Sequence, residues 1–280
     1  MYKIMTPGPT QVAENVRLAR SLECTNPDLD EEFVEFYKET CEKISSLLHT
    51  SNETLILSGE GILGLEAAIA SMTEPGDKVL VLDNGIYGKG FADFVTMYGG
   101  RPELYSRDYQ ETFDVKELEE FLKNSHDYKY ATVVHGDTPS GMLNDISAIC
   151  PLLKKYGILT VVDSVSASFG EPMNIDDWKV DIMCGGSQKV VSAPPGLTFV
   201  VVSDDAKKSM QTVRHQLLLS MPTLQLLHII TKKNGFHIQC LSVISTDSAL
   251  PLTTSRQILP SSPATQRSPV PPERPSQAQA

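Results

Sequence analysis

"LTVVDSVSASFGEPMNIDDWKVDIMCGGSQKVVSAPPGLTFVVVS", residues 159–203, contains three short apolar runs: LTVVDS (159–164), VDIMCG (180–185) and LTFVVVS (197–203). Each is rich in Val, Ile and Leu, too short for a typical helix and bounded by Gly, Pro or Ser, so each reads as a buried strand. Asp163 closes the first run, and Lys189 follows the second, between GGSQ and VVSAPPG. A solvated lysine needs no such frame. A lysine that forms a covalent bond in a fixed place does. A carboxylate at the end of a buried strand is costly without a cationic partner, although a helix N-cap would also account for Asp163.

Upstream the pattern repeats. TLIL (54–57), KVLVLD (78–83), PELYS (102–106) and ATVVH (131–135) are further strands. Helical patterns lie at 62–73, 89–99, 114–124, 145–156 and 204–210, and an amphipathic helix over 28–50 carries Phe33, Phe36, Tyr37, Ile44, Leu47 and Leu48. Seven strands alternating with helices predict an α/β fold, a mostly parallel sheet covered on both faces. Ligands in such sheets sit at the carboxyl ends of the strands.

Four strand ends carry candidate chemistry. SGEGILGLEAA follows the first strand, and a glycine-bearing turn opening a helix offers free amides to a phosphate. Gly turns before helices are also common without ligands, and no GK[ST] follows, so this is no Walker A loop. DNGIYGKG puts Tyr87 where it would stack on a flat ring or merely cap the core. GDTPSG brings the hydroxyls of Thr138 and Ser140 into a loop that would look the same as a plain turn. Asp163 and Lys189 complete the set. One cofactor needs a phosphate cup, an aromatic lid, a carboxylate for a pyridinium nitrogen and a Schiff-base lysine, and that is pyridoxal 5′-phosphate (PLP).

Composition bounds the alternatives. The 280-residue chain is 41% hydrophobic and 21% charged, with a formal net charge of -11. This acidity argues against nucleic-acid binding and against an anionic membrane surface. Five scattered cysteines (24, 41, 150, 184 and 240) give no metal-ligand spacing and suggest a reducing cytoplasm. The opening MYKIMTPGPTQV lacks an apolar core, so no signal peptide is expected, and no run approaches the length of a membrane span.

TPGPT, SGEGILGLEAA, EPGDKVLVLDNGIYG, TPSGMLNDI, LLKKYGILTVVDSVSASFGE and GGSQKVVSAPPGL together resemble the class V aminotransferases of PLP fold type I, of the alanine–glyoxylate and serine–glyoxylate kind. The resemblance covers residues 4–210. It implies that Lys189 forms the Schiff base beside Gln188, that Asp163 pairs with the ring nitrogen, and that Val165 packs under the ring. It further implies that Tyr87 stacks above, where Trp or Phe is frequent, and that Thr138 lies near the ring hydroxyl. Gly59, Gly61 and Ile62 would form the phosphate cup, and Gly8 would approach the substrate. Glu60 departs from the family, which commonly has Ser or Thr in the cup, and Asp137 stands where the family usually has Glu. The implied reaction moves an amino group from an alanine- or serine-type amino acid to glyoxylate or pyruvate, in a homodimer. A PLP-dependent lyase or cysteine desulfurase is the alternative enzyme class, and a non-catalytic truncated chain is the third reading. A desulfurase needs a mobile cysteine on a later loop; Cys240 lies in the aberrant tail and Cys184 reads as core, so that feature is missing.

Three segments are expected: an N-terminal arm (1–20), a PLP-binding large domain (21–210) and an aberrant tail (211–280). Residues 1–210 hold 33 acidic and 18 basic side chains, whereas 211–280 hold 2 and 6, with 8 of the 18 prolines and one of the 18 glycines. The tail ends in LPSSPATQRSPVPPERPSQAQA, a composition expected to be disordered. Read one base earlier, QTVRHQLLLSMPT (211–223) permits NRKTPIASFYAN, TKKNGFHIQCL (231–241) permits YEEKWFPYTMP, and the stretch from 249 permits RAAIDNI. All three are family-like, so residues from about 212 onward are expected to be out of frame, the alternative being a genuine divergent C-terminus. The YTMP segment, which in the family reaches across a dimer, and the arginine that binds a substrate carboxylate would then be missing from the chain.

Overall fold

The computed structural model describes residues 3–22, 26 and 29–213. Apart from its first three residues, the tail expected over 211–280 lies outside the described residues.

Nine strands and seven helices are described: α1 (Glu14–Ala19), α2 (Glu31–Leu47), β1 (Glu53–Ser58), α3 (Gly61–Met72), β2 (Lys78–Asp83), α4 (Ile86–Met97), β3 (Arg101–Ser106), α5 (Val115–Asn124), β4 (Tyr130–Val134), β5 (Gly136–Asp137), β6 (Met142–Leu143), α6 (Ile146–Lys155), β7 (Leu159–Asp163), β8 (Ile182–Gly186), β9 (Leu197–Val202) and α7 (Asp204–Thr212). The seven main strands order as β1-β9-β8-β7-β4-β2-β3. Strand β9 runs antiparallel to both neighbours, and the other adjacent pairs are parallel.

Alternation along the strands builds two cores. Val79 and Val81 of β2 face the layer of α3, α4 and α7, packing with Leu65, Ile69, Phe91 and Val95. Leu80 and Leu82 face the opposite layer, with Leu118 and Leu122 of α5 and Ile149 and Leu153 of α6. A strand buried on both faces therefore reads as the continuous run KVLVLD. Helices α5, α6 and α7 begin at Asp114, Asp145 and Ser203, whose side chains accept first-turn amides.

All seven strands expected from sequence are present, β2 with the expected ends and the others with at least one end shifted by one or two residues. Helix α4 starts three residues before the expected 89, because Gly85 rather than Gly88 is its cap. Tyr87 consequently lies in the first helical turn and not in a connecting turn. The short β5–β6 hairpin and α1 were not anticipated. GDTPSGML carries turn residues that hide two-residue strands, and α1 buries no side chain. Helix α7 runs to Thr212, two residues beyond the expected 210.

The topology positions the site. From β2 the chain moves outward to β3, then returns to β4 on the other side of β2, and continues through β7 to β8. The connections after β2 and β4 thus leave in opposite directions, which opens a crevice at their carboxyl ends. Among the described residues, no helix is long and apolar enough to cross a membrane.

Candidate active site

A cleft of about 220 Å³ opens at these strand ends. Gly8, Ile62, Tyr87, Asp163, Val165, Gln188 and Lys189 line it, so seven of the ten residues singled out from sequence meet there. Pro9, Glu60, Leu65, Gly136 and Ser166 complete the lining. Larger hollows exist elsewhere, including one of about 1050 Å³ beside α2 and β1, but none of these candidate residues lines it.

Gly59, Gly61 and Thr138 stand behind the lining. A Cβ on Gly61 would come within 2.5 Å of Val165 Cγ2, so the absent side chain lets α3 approach the residue after Asp163. The Gly59 amide donates to Gly196 O at 2.8 Å, tying the turn before α3 to the segment before β9. Thr138 shares a 2.6 Å hydrogen bond with Ser166 Oγ.

Asp163 lies at the floor of the cleft. It is buried, and its Oδ1 accepts the Val165 amide at 2.9 Å. Burial pushes its carboxyl up to about 6, against the Val165 amide and the Lys189 charge, which favour ionisation, while the Asp137 charge opposes it. A carboxylate held this way gains most from a cationic partner, and a pyridinium nitrogen is one.

A buried polar lattice supports the floor. His135 donates its amide to Asp163 O at 2.8 Å, and its Nδ1 lies 3.0 Å from Ser164 Oγ. Asn144 donates its amide to His135 O and its side-chain nitrogen to Val134 O, and it exchanges side-chain hydrogen bonds with Asn84. Burial holds the His135 imidazole down to about 4, so it is neutral across the physiological range. The lattice joins the segments that carry Tyr87, Thr138 and Asp163. Sequence reading missed these supports, although an Asn and a His immediately after buried strands are polar groups that need partners.

Lys189 stands opposite and is half-buried. A Cβ on Gly8 would fall 2.5 Å from its Nζ, so the N-terminal arm runs directly against the amine. Thr10 fixes that contact, its amide donating to Gln188 O at 2.9 Å and its hydroxyl to Lys189 O at 2.7 Å. Thr10 went unnoticed in the sequence, because nothing local marks a bond between residues so distant along the chain.

The third side is the start of α3. First-turn amides have no intrahelical acceptor, which suits an anion. Here, though, the N-cap is Glu60, whose side chain caps nothing and lines the cleft. Ile62 and Tyr87 are exposed at this end. The residues therefore fit a pyridine ring and its aldehyde closely, while the end that would take a phosphate carries a carboxylate.

The chain matches the family described as aminotransferase class V over residues 11–221, and it belongs to that family. It is 38% identical over 184 residues to a pyridoxamine–pyruvate transaminase of Mesorhizobium japonicum, covering 66% of this chain and 47% of that one. It is 34% identical over 205 residues to the alanine–glyoxylate aminotransferase of Callithrix jacchus, covering 73% and 49%. The chain thus spans about half the length of these curated relatives. The crystal structure of a pyridoxamine–pyruvate aminotransferase from Mesorhizobium loti superposes with a TM-score of 0.77 at 31% identity, covering 91% of this chain and 66% of that one. A cysteine desulfurase from Thermococcus onnurineus matches at a TM-score of 0.58 and 14% identity, a likeness of fold alone.

Proposed function

We propose that this chain supports transfer of an amino group to a small 2-oxo acid such as pyruvate or glyoxylate, on a pyridoxal-type ring held between Tyr87 and Val165. The observation that carries this reading is that the amine of Lys189 and the buried carboxylate of Asp163 line one cleft. PLP is the ring that the family would use, and three buried free thiols, Cys41, Cys150 and Cys184, suit a reducing cytoplasm.

When bound, the ring supplies an aldehyde that condenses with amines and an electron sink for the pair left at Cα. The protein supplies the rest. Asp163 holds the proton on the ring nitrogen. Lys189 would take the proton from Cα as base and return it as acid to the carbon that was the ring's aldehyde, on the far side of the nitrogen. Gly8 leaves room for the amine, and Val165 keeps water from the lower ring face. Thr138 and Gln188 stand ready for the ring hydroxyl, and the α3 amides of Gly61 and Ile62 for the ring's 5′ substituent.

Glu60 favours a second reading, in which the ring carries no phosphate and pyridoxamine is itself the amino donor. A phosphate dianion ~5 Å from one carboxylate in water costs about 1.5 kcal/mol, roughly tenfold in affinity. Among the described residues, no lysine or arginine other than Lys189 lines the cleft to offset this. The relative named for pyridoxamine and pyruvate supports this reading. Two assays separate the readings: alanine formed from pyridoxamine and pyruvate without added PLP supports the second, and alanine-dependent amino transfer to glyoxylate only with PLP supports the first. If the chain shows neither, and binds neither pyridoxal nor PLP, the function is wrong. The missing frame is a separate proposal, tested by the nucleotide sequence at codon 211.

A further inference from the structure

Asp137 is a second buried carboxylate at the site, 2% exposed. Its Oδ2 accepts the Ser140 amide at 3.0 Å and the Ser140 hydroxyl at 2.6 Å. Its Oδ1 is buried without a hydrogen-bond partner. A Cβ on Gly85 would fall 2.7 Å from that carboxylate, so Asp137 fills the notch before α4, two residues from Tyr87. Along the chain it lies between Gly136, which lines the cleft, and Thr138. A half-satisfied buried carboxylate is destabilising by itself. Nothing in the packing needs its charge, since Ser140 would donate equally to an amide oxygen.

We propose that Asp137 is a positioning residue whose negative charge acts together with that of Asp163 to keep a bound ring protonated. This rests on the pyridoxal-ring reading above. Asp137 follows by three residues Val134, which pairs with Asp163 across β4 and β7. The charges of Asp137 and of Lys189, after β8, both act on Asp163, and Asp163 in turn acts on Cys184 of β8. His135 reaches Asp163 through its backbone amide and is neutral, and Glu60 lines the same cleft from α3. Asp137 is thus the nearby negative charge supplied from the buried side. It opposes ionisation of Asp163 and favours the cationic ring, so both the carboxylate and the ring nitrogen hold their protons to higher pH.

The probe is 4-deoxypyridoxine, which has the ring but no aldehyde and so reports binding without chemistry. Its affinity for the full chain, followed by ultraviolet difference spectra, is expected to be bell-shaped in pH. The acid limb is ionisation of Asp163 in the free chain. The basic limb is read from the ultraviolet spectrum of the bound ring as it loses its proton, because proton loss from the free probe does not depend on the protein. In Asp137→Asn both limbs are expected to move to lower pH, by about half a unit or more. Asp137→Glu and Ser140→Ala, which keep the charge, leave the limbs in place. Asp137→Ser provides a second neutral variant should the amide fail to fold. Limbs that stay put in the neutral variants, with or without weaker binding, overturn the proposal, as does an equal displacement in Ser140→Ala. Failure of the wild-type chain to bind the probe at any pH overturns the ring-site reading together with it.

Discussion

The two ends of the cleft are built differently. At the floor, Asp163 sits in a lattice of buried hydrogen bonds that ties it to Asn84, His135 and Asn144. At the mouth of α3, Glu60, Ile62 and Tyr87 are exposed, and the N-cap side chain makes no cap. Rigid polar burial suits a group that must hold a proton at a fixed atom. An open helix start with one acidic side chain suits selection among ring substituents. On the proposed reading chemistry and selectivity sit at opposite ends, and each end is expected to change without the other.

The largest effect is expected at the lysine. Lys189→Ala should abolish amino transfer while leaving noncovalent ring binding, because Asp163, Val165 and Tyr87 remain. Next, Asp163→Asn should cost roughly 10²-fold in affinity for the ring cation, since it removes a charge partner in a buried site. Titration with 4-deoxypyridoxine measures this, and an unchanged affinity would place the ring elsewhere. At the other end, Glu60→Ser should raise affinity for PLP relative to pyridoxal by about tenfold. A change in both ligands alike would show that the two ends are not separable.

A smaller effect lies in stability against pH. Asp163 is raised from its usual range to about 6, so the stability of the ring-free fold falls as pH rises from about 4 to 6. His135 is lowered to about 4, so stability falls as pH drops from about 6.5 to 4. The two oppose one another in the same window. Wild type should therefore vary little there, while Asp163→Asn should become more stable as pH rises through it, as urea unfolding would show. Smallest is Thr10→Val, which removes one hydroxyl bond to Lys189 O and should cost about 1 kcal/mol.

The floor was more legible in sequence than its supports. Asp163 and Lys189 are conspicuous because each follows an apolar strand, and strand ends are where such sheets place ligands. Tyr87 was found at the right strand end but not in its helix, since Gly85 and Gly88 are equally plausible caps on paper. Pairings across the chain, such as Thr10 with Lys189 or Asn84 with Asn144, leave no local trace. Glu60 was visible as a departure from the family, yet only the geometry shows that its side chain lines the cleft without capping α3.

The central claim is that Lys189 is the amine that captures a ring aldehyde facing Asp163. Borohydride reduction of the chain with pyridoxal or PLP, followed by peptide mass spectrometry, tests it directly. The account predicts one stoichiometric adduct on Lys189, absent from Lys189→Ala. An adduct spread over surface lysines, or one that survives the substitution, would contradict it.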